Sequence, residues 1–152
     1  MEEGRSIGLD VGEARIGVAV TDPLGMMSHP HGIIEEPTLN QSVQGVLALI
    51  DELAPVRIVV GMPLDMNGQP GLQAGKVAKF VDALQAALDT QADAPEIVTQ
   101  DERYSTSAAE RAIAGGRLHG KKRKHAVDKI AAHHILQTYM DRLKHKRDRA
   151  SQ

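Results

Sequence analysis

The chain has 152 residues, one domain's worth, and at that size about two-thirds of the unfolded surface is buried on folding. Hydrophobic residues at 41% and charged residues at 25% exclude a disordered chain, and the lack of cysteine excludes disulfides, thiolate metal sites and cysteine nucleophiles. The net charge of -2 hides a segregation: residues 1–116 carry 7 Lys/Arg against 17 Asp/Glu, while residues 117–152 carry 11 against 3. A basic C-terminal third suggests a polyanionic partner, and a solvated helix explains it equally well. Phe80, Tyr104 and Tyr139 are the whole aromatic complement, so a nucleic acid would be held through its backbone charge rather than by base stacking.

In chain order, residues 6–10 read as a short strand and 14–21 as a second. Between them Val11-Gly12-Glu13 makes a tight connection, with Gly12 free to take positive φ. Asp22-Pro23-Leu24-Gly25 is a turn, and a third strand falls near 29–35. The period then changes. Val43, Val46, Leu47 and Ile50 fit one face of a helix, and 56–61 is a β-branched run of the kind buried on both faces. Residues 63–71 are a loop rich in Pro, Gly and Asn; Val77, Phe80, Val81, Leu84 and Leu88 form a second helical stripe, and 96–99 is the next strand. Strand–helix–strand order implies a parallel pair with a right-handed crossover.

A further helix starts near Thr106 or Ser107, where Ser107 and Glu110 form a capping box, and ends at Gly115-Gly116. Gly120-Lys121-Lys122-Arg123-Lys124 reads as a basic loop. The last helix carries Ala132, Ile135, Leu136, Tyr139, Met140 and Leu143 on one face. The expectation is an α/β fold: a mixed five-stranded sheet, three antiparallel strands then parallel ones, with helices on both faces. Residues 1–141 form one domain, and 142–152 a mobile basic tail. No apolar run suits a membrane, and the acidic Glu2-Glu3 does not suit a secretory leader, so a cytoplasmic protein is expected.

Three acids stand out. Asp10 ends an apolar strand, Glu102 (with Asp101) follows another, and Asp128 shares the core-facing stripe of the last helix. Each has an ordinary reading: a strand-end cap, a solvated loop acid, an acid in a helix's first turn favouring the macrodipole. Together they describe one cluster at the C-terminal edge of parallel strands, where open α/β sheets bind ligands. Packed acids repel unless cations neutralise them, and hard oxygen donors suit Mg²⁺ or Mn²⁺. Two such ions about 4 Å apart can activate a water and stabilise the leaving oxygen of a phosphodiester.

Four motifs carry a family resemblance. Residues 8–20, GLDVGEARIGVAV, resemble the opening motif of the YqgF/RuvX family of pre-16S rRNA nucleases, also called Holliday junction resolvase-like proteins. Val59-Val60-Gly61-Met62-Pro63-Leu64 with Met66-Asn67-Gly68 resembles its central strand and loop. Asp101-Glu102-Arg103-Tyr104-Ser105-Thr106 resembles its most distinctive motif, and Val127-Asp128-Lys129-Ile130-Ala131-Ala132 with Ile135-Leu136-Gln137 its last helix. The motifs run in family order from residue 7 to about 140.

The resemblance implies a ribonuclease H-like fold, metal-dependent nuclease chemistry with Asp10, Glu102 and Asp128 as the acidic triad, and a role in trimming the 5′ end of the small-subunit rRNA precursor. Resolvases of the related branch take their second acid from the strand matching 56–61; here that strand ends in Gly61-Met62-Pro63 without one. In this scheme Asp10 bridges both ions, and Glu102 and Asp128 each hold one. Arg103 stabilises charge on the phosphoryl oxygens, or else pairs with Asp101 or Glu110. Arg15, Lys121, Lys122, Arg123, Lys124 and Lys129 are candidate nucleic-acid contacts. Gly12, with Gly8 and Gly17, lets the backbone approach a phosphate, though tight turning alone also explains them.

Three rivals remain. An ATPase of the actin and sugar-kinase class opens with a similar hairpin but needs two such domains. A non-catalytic nucleic-acid-binding factor would leave the acids without work. A DNA junction resolvase would have to be a two-fold dimer, whereas an RNA-processing enzyme can be a monomer or a homodimer.

Overall fold

The computed structural model describes residues 4–35, 38–64, 67–102 and 120–150. Five strands form one sheet: β1 (Ser6–Val11), β2 (Ile16–Thr21), β3 (Ser28–Ile34), β4 (Arg57–Met62) and β5 (Glu96–Asp101). The spatial order is β3-β2-β1-β4-β5. β1 and β2, and β2 and β3, pair antiparallel, while β4 lies parallel to both β1 and β5, as the sequence predicts. Among the described residues three helices accompany the sheet: α1 (Leu39–Leu53), α2 (Leu72–Leu88) and α3 (Gly120–Ala150). None among the described residues is long and apolar enough to cross a membrane.

Strand alternation divides the core in two. Ile7 and Leu9 of β1, Ile16 and Val18 of β2, and Ile58 and Val60 of β4 point to one face. They pack there with Val43, Val46 and Ile50 of α1 and Val77, Phe80, Leu84 and Leu88 of α2. The helical stripes read from the sequence are therefore the buried ones. On the other face Ala19 and Val59 meet Ala132, Ile135 and Leu136 of α3. This second core is built from small residues, and α3 lies close upon the sheet. A Cβ on Gly8 would stand 2.6 Å from that of Leu136 and 2.9 Å from the Ala132 carbonyl oxygen. Gly8 and Gly17 thus serve to admit a helix.

Local chemistry sets the element ends. The Thr38 hydroxyl caps α1 by accepting from Gln41 N–H at 3.1 Å. The helix closes at Ala54, left-handed at φ 47°, before Pro55 forbids its continuation. The β1–β2 hairpin closes with Gly12 N–H donating to the Arg15 carbonyl at 2.8 Å. Gly12 does not take the positive φ expected of it. It is required because a Cβ would press to 2.9 Å on that carbonyl oxygen.

One expectation about the C-terminal third is corrected. Residues 120–124 are not a loop but the first turn of α3, and residues 142–150 continue the same helix to Ala150. Lys and Arg are good helix formers and nothing after Gly120 breaks the run, so the charge pattern misled where propensity would have served. Asp128 consequently lies two turns inside α3, beyond the first turn that the macrodipole favours. The helix expected from Thr106 or Ser107 to Gly116, and Arg103, lie outside the described residues.

Candidate active site

The site begins as a row across three strands. Asp10 pairs directly with Gly17 of β2. The parallel register Leu9–Val60 sets Gly61 of β4 at the same level on the other side. Since Leu9 points to the α1/α2 core, Asp10 points to the α3 face. A glycine on each side leaves Asp10 as the one side chain rising from this stretch of the sheet.

Glu102 arrives from β5. Its N–H donates to the Met62 carbonyl at 3.2 Å, extending the β4–β5 pairing by one residue. The side chain then turns back over β4: a Cβ built on Gly61 would lie 2.6 Å from Oε1 and 2.8 Å from the carboxyl carbon. Oε1 is buried. Glycine at 61 thus vacates a position above β4 that the neighbouring strand's glutamate fills.

Asp128 comes from above. A Cβ on Gly17 would stand 2.6 Å from the Asp128 carbonyl carbon and 3.2 Å from its Cβ, so α3 crosses β2 with Asp128 over the glycine. α3 is registered on β3 as well. Ser28 N–H donates to Gln137 Oε1 at 3.1 Å, and the Ser28 hydroxyl lies 3.0 Å from His133 Nδ1. The carboxylate of Asp128 accepts from Arg15 Nε at 2.8 Å.

The structure therefore brings the three predicted acids to one row: Glu102 over Gly61, Asp10 at the centre, Asp128 over Gly17. They do not close into a cage. Among the described residues no three acidic or imidazole side chains stand close enough together to hold one ion. The donor set is nonetheless the oxygen set a hard divalent cation takes, and the glycines leave the space beside Asp10 clear. Asp10, Glu102 and Asp128 are the residues that could hold such ions.

The predicted nucleic-acid contacts separate. Lys122, Arg123 and Lys124 are exposed on the first turn of α3, and Lys129 is half-buried. Lys121 instead pairs with Glu35 Oε2 at 3.2 Å, and His125 Nε2 lies 2.8 Å from Oε1 of the same carboxylate. The hydrogen bond from His125, and then that from Lys121, holds the Glu35 carboxyl below its usual range. Arg15 pairs with the Asp128 carboxylate. Sequence reading missed Gln73, whose amide donates to the Val11 carbonyl at 2.7 Å and ties α2 to the hairpin beside Asp10. It also missed Glu35; neither carries a local signal.

A mixed sheet in the order β3-β2-β1-β4-β5 with helices on both faces is a ribonuclease H-like fold. Solved structures bear out the fold. The chain aligns with RuvC of Thermus thermophilus in complex with a Holliday junction substrate at TM-score 0.58, 15% identity and 93% and 96% coverage of the two chains. It aligns with the Fowlpox virus resolvase in a Holliday junction complex at TM-score 0.59, 8% identity and 91% and 98% coverage. The RuvX family, described as Holliday junction resolvase, matches residues 4–142. A protein of Syntrophomonas wolfei named "Putative pre-16S rRNA nuclease" is 42% identical over 90% of this chain and 94% of its own. A Clostridium tetani protein of the same name is 41% identical over 93% and 99%. The chain belongs to the RuvX family and is a nuclease, a hydrolase of phosphodiester bonds.

Proposed function

We propose that this chain trims the 5′ end of the 16S rRNA precursor, as the names of its relatives suggest, using Mg²⁺ or Mn²⁺ held by Asp10, Glu102 and Asp128. The observation that carries the chemistry is the convergence of the three acids on the Gly17–Asp10–Gly61 row. Asp10, fixed within β1, is the least able to move and would be the central ligand of the ions. Glu102 and Asp128, reaching the row from β5 and α3, would complete the donor set. When bound there, such ions would supply an acidified water and a counter-charge for the leaving oxygen.

Lys122, Arg123 and Lys124, exposed one to two turns from Asp128 on the same helix, hold the RNA backbone, with Lys121, Lys129 and Arg103 adding to them. The work takes place in the cytoplasm, where the precursor is made. Either a monomer or a homodimer can trim a single strand.

The test is cleavage of a labelled 5′-extended rRNA precursor and of a four-way DNA junction, with Mn²⁺ or Mg²⁺, by wild type and Asp10→Asn. Wild type should cut the RNA and the variant should not. Preference for the junction would reassign the substrate. Equal cutting by both proteins would remove Asp10 from the reaction and overturn the three-acid scheme, and cutting by neither would reassign the substrate.

A further inference from the structure

Arg15 and Asp128 are 113 residues apart in the chain, yet their side chains meet at 2.8 Å, with 28% and 21% of their surfaces exposed. The two ends of this pair are held independently. The Arg15 carbonyl is fixed by the hairpin bond from Gly12, and the Asp128 backbone is fixed by its seat over Gly17. Only the side chains can part. The guanidinium covers Oδ2, one of the two oxygens that Asp128 has to offer a cation, and the three acids of the row do not close into a cage.

We propose that Arg15 is an exchangeable counter-ion of the site. With no divalent ion bound, its guanidinium neutralises Asp128 and holds it back from Asp10 and Glu102. When an ion is ligated, Asp128 turns to it and Arg15 is released toward the substrate phosphate. This rests on the reading of the three acids as ion ligands. The physical ground is charge: a guanidinium and a dication at one carboxylate repel, so whichever binds weakens the other. Arg15 is then a positioning residue that couples ion loading to grip on the RNA backbone, which an ordinary structural ion pair would not do.

The test is Mn²⁺ binding without nucleic acid, read from the free-ion EPR signal, for wild type, Arg15→Gln, Asp128→Asn and the double variant. Arg15→Gln should bind Mn²⁺ about tenfold more tightly. In the Asp128→Asn background the same substitution should change nothing. Thermal melts supply a second readout that also reports folding. In chelator, Arg15→Gln should melt below wild type, because a half-buried carboxylate has lost its partner. In Mn²⁺ the gap should close, because the ion replaces it. Equal or weaker Mn²⁺ binding by Arg15→Gln overturns the proposal, as does equal tightening in both backgrounds. Failure of the three-acid reading itself appears separately, as Mn²⁺ binding by Asp10→Asn unchanged from wild type, and removes the proposal with it.

Discussion

Gly17→Ala drives a methyl group into the backbone of α3. The added carbon would lie 2.6 Å from the Asp128 carbonyl carbon and closer still to its oxygen. Carbon atoms rest about 3.5–4.0 Å apart, so the helix must retreat by about 1 Å. No rotamer change relieves the clash, because both partners are main chain. Overpacking of this kind costs about 1–3 kcal/mol, and for a domain of this size each kcal/mol lowers Tm by about 2–4 °C. The retreat also carries Asp128 away from Asp10, and a displacement of about 1 Å at a reacting centre costs about 100-fold in rate. Gly61→Ala separates the two effects. Its methyl would meet Ile135 Cδ1 at 2.5 Å and Glu102 Oε1 at 2.6 Å, both ends of side chains that can swing aside. It should lose Mn²⁺ affinity with little change in Tm. Gly32→Ala, with nothing within 4 Å, should change neither. Melting curves and Mn²⁺ titrations of the three variants suffice. Gly17→Ala with wild-type Tm and activity would show that α3 is not seated on the sheet as described.

Other expectations are simpler to check. Asp10→Asn should weaken Mn²⁺ binding, measured by calorimetry, by at least the roughly 10–100-fold seen for loss of an outer-shell partner. Ala54→Gly should raise stability to urea by about 1 kcal/mol, because Ala54 holds a left-handed φ of 47° that glycine adopts without a steric cost. Glu35→Gln should lower Tm slightly at neutral pH. The Glu35 carboxyl titrates below the usual glutamate range, so its contribution is complete above that range and is lost as pH falls through the lowered value. The Tm difference between variant and wild type should vanish on acidification, and a constant difference would assign the effect to packing.

Much of the fold was legible in the sequence, because period and punctuation are local properties of the chain. Alternation in residues 16–21 and the helical spacing of Val77, Phe80, Leu84 and Leu88 name the buried faces before any partner is known. The order of strands and helices then leaves few topologies, and the β3-β2-β1-β4-β5 sheet is among them. Asp10, Glu102 and Asp128 stood out for the same reason, as acids where strand ends and an apolar stripe offer them no ordinary place.

What decides the site is the crossing of α3 over the sheet, and no local window contains it. Gly8, Gly17 and Gly61 come from three strands, yet all three face α3. Only their alignment in space shows that they clear a path for a helix, a seat for Asp128 and room for Glu102 above a strand that lacks its own acid. The pairing of Arg15 with Asp128 and of Glu35 with His125 follows from that crossing. The sequence determined which elements form and which acids must be explained. The tertiary structure decided which of them meet, because contacts between distant residues depend on how closely two backbones can approach.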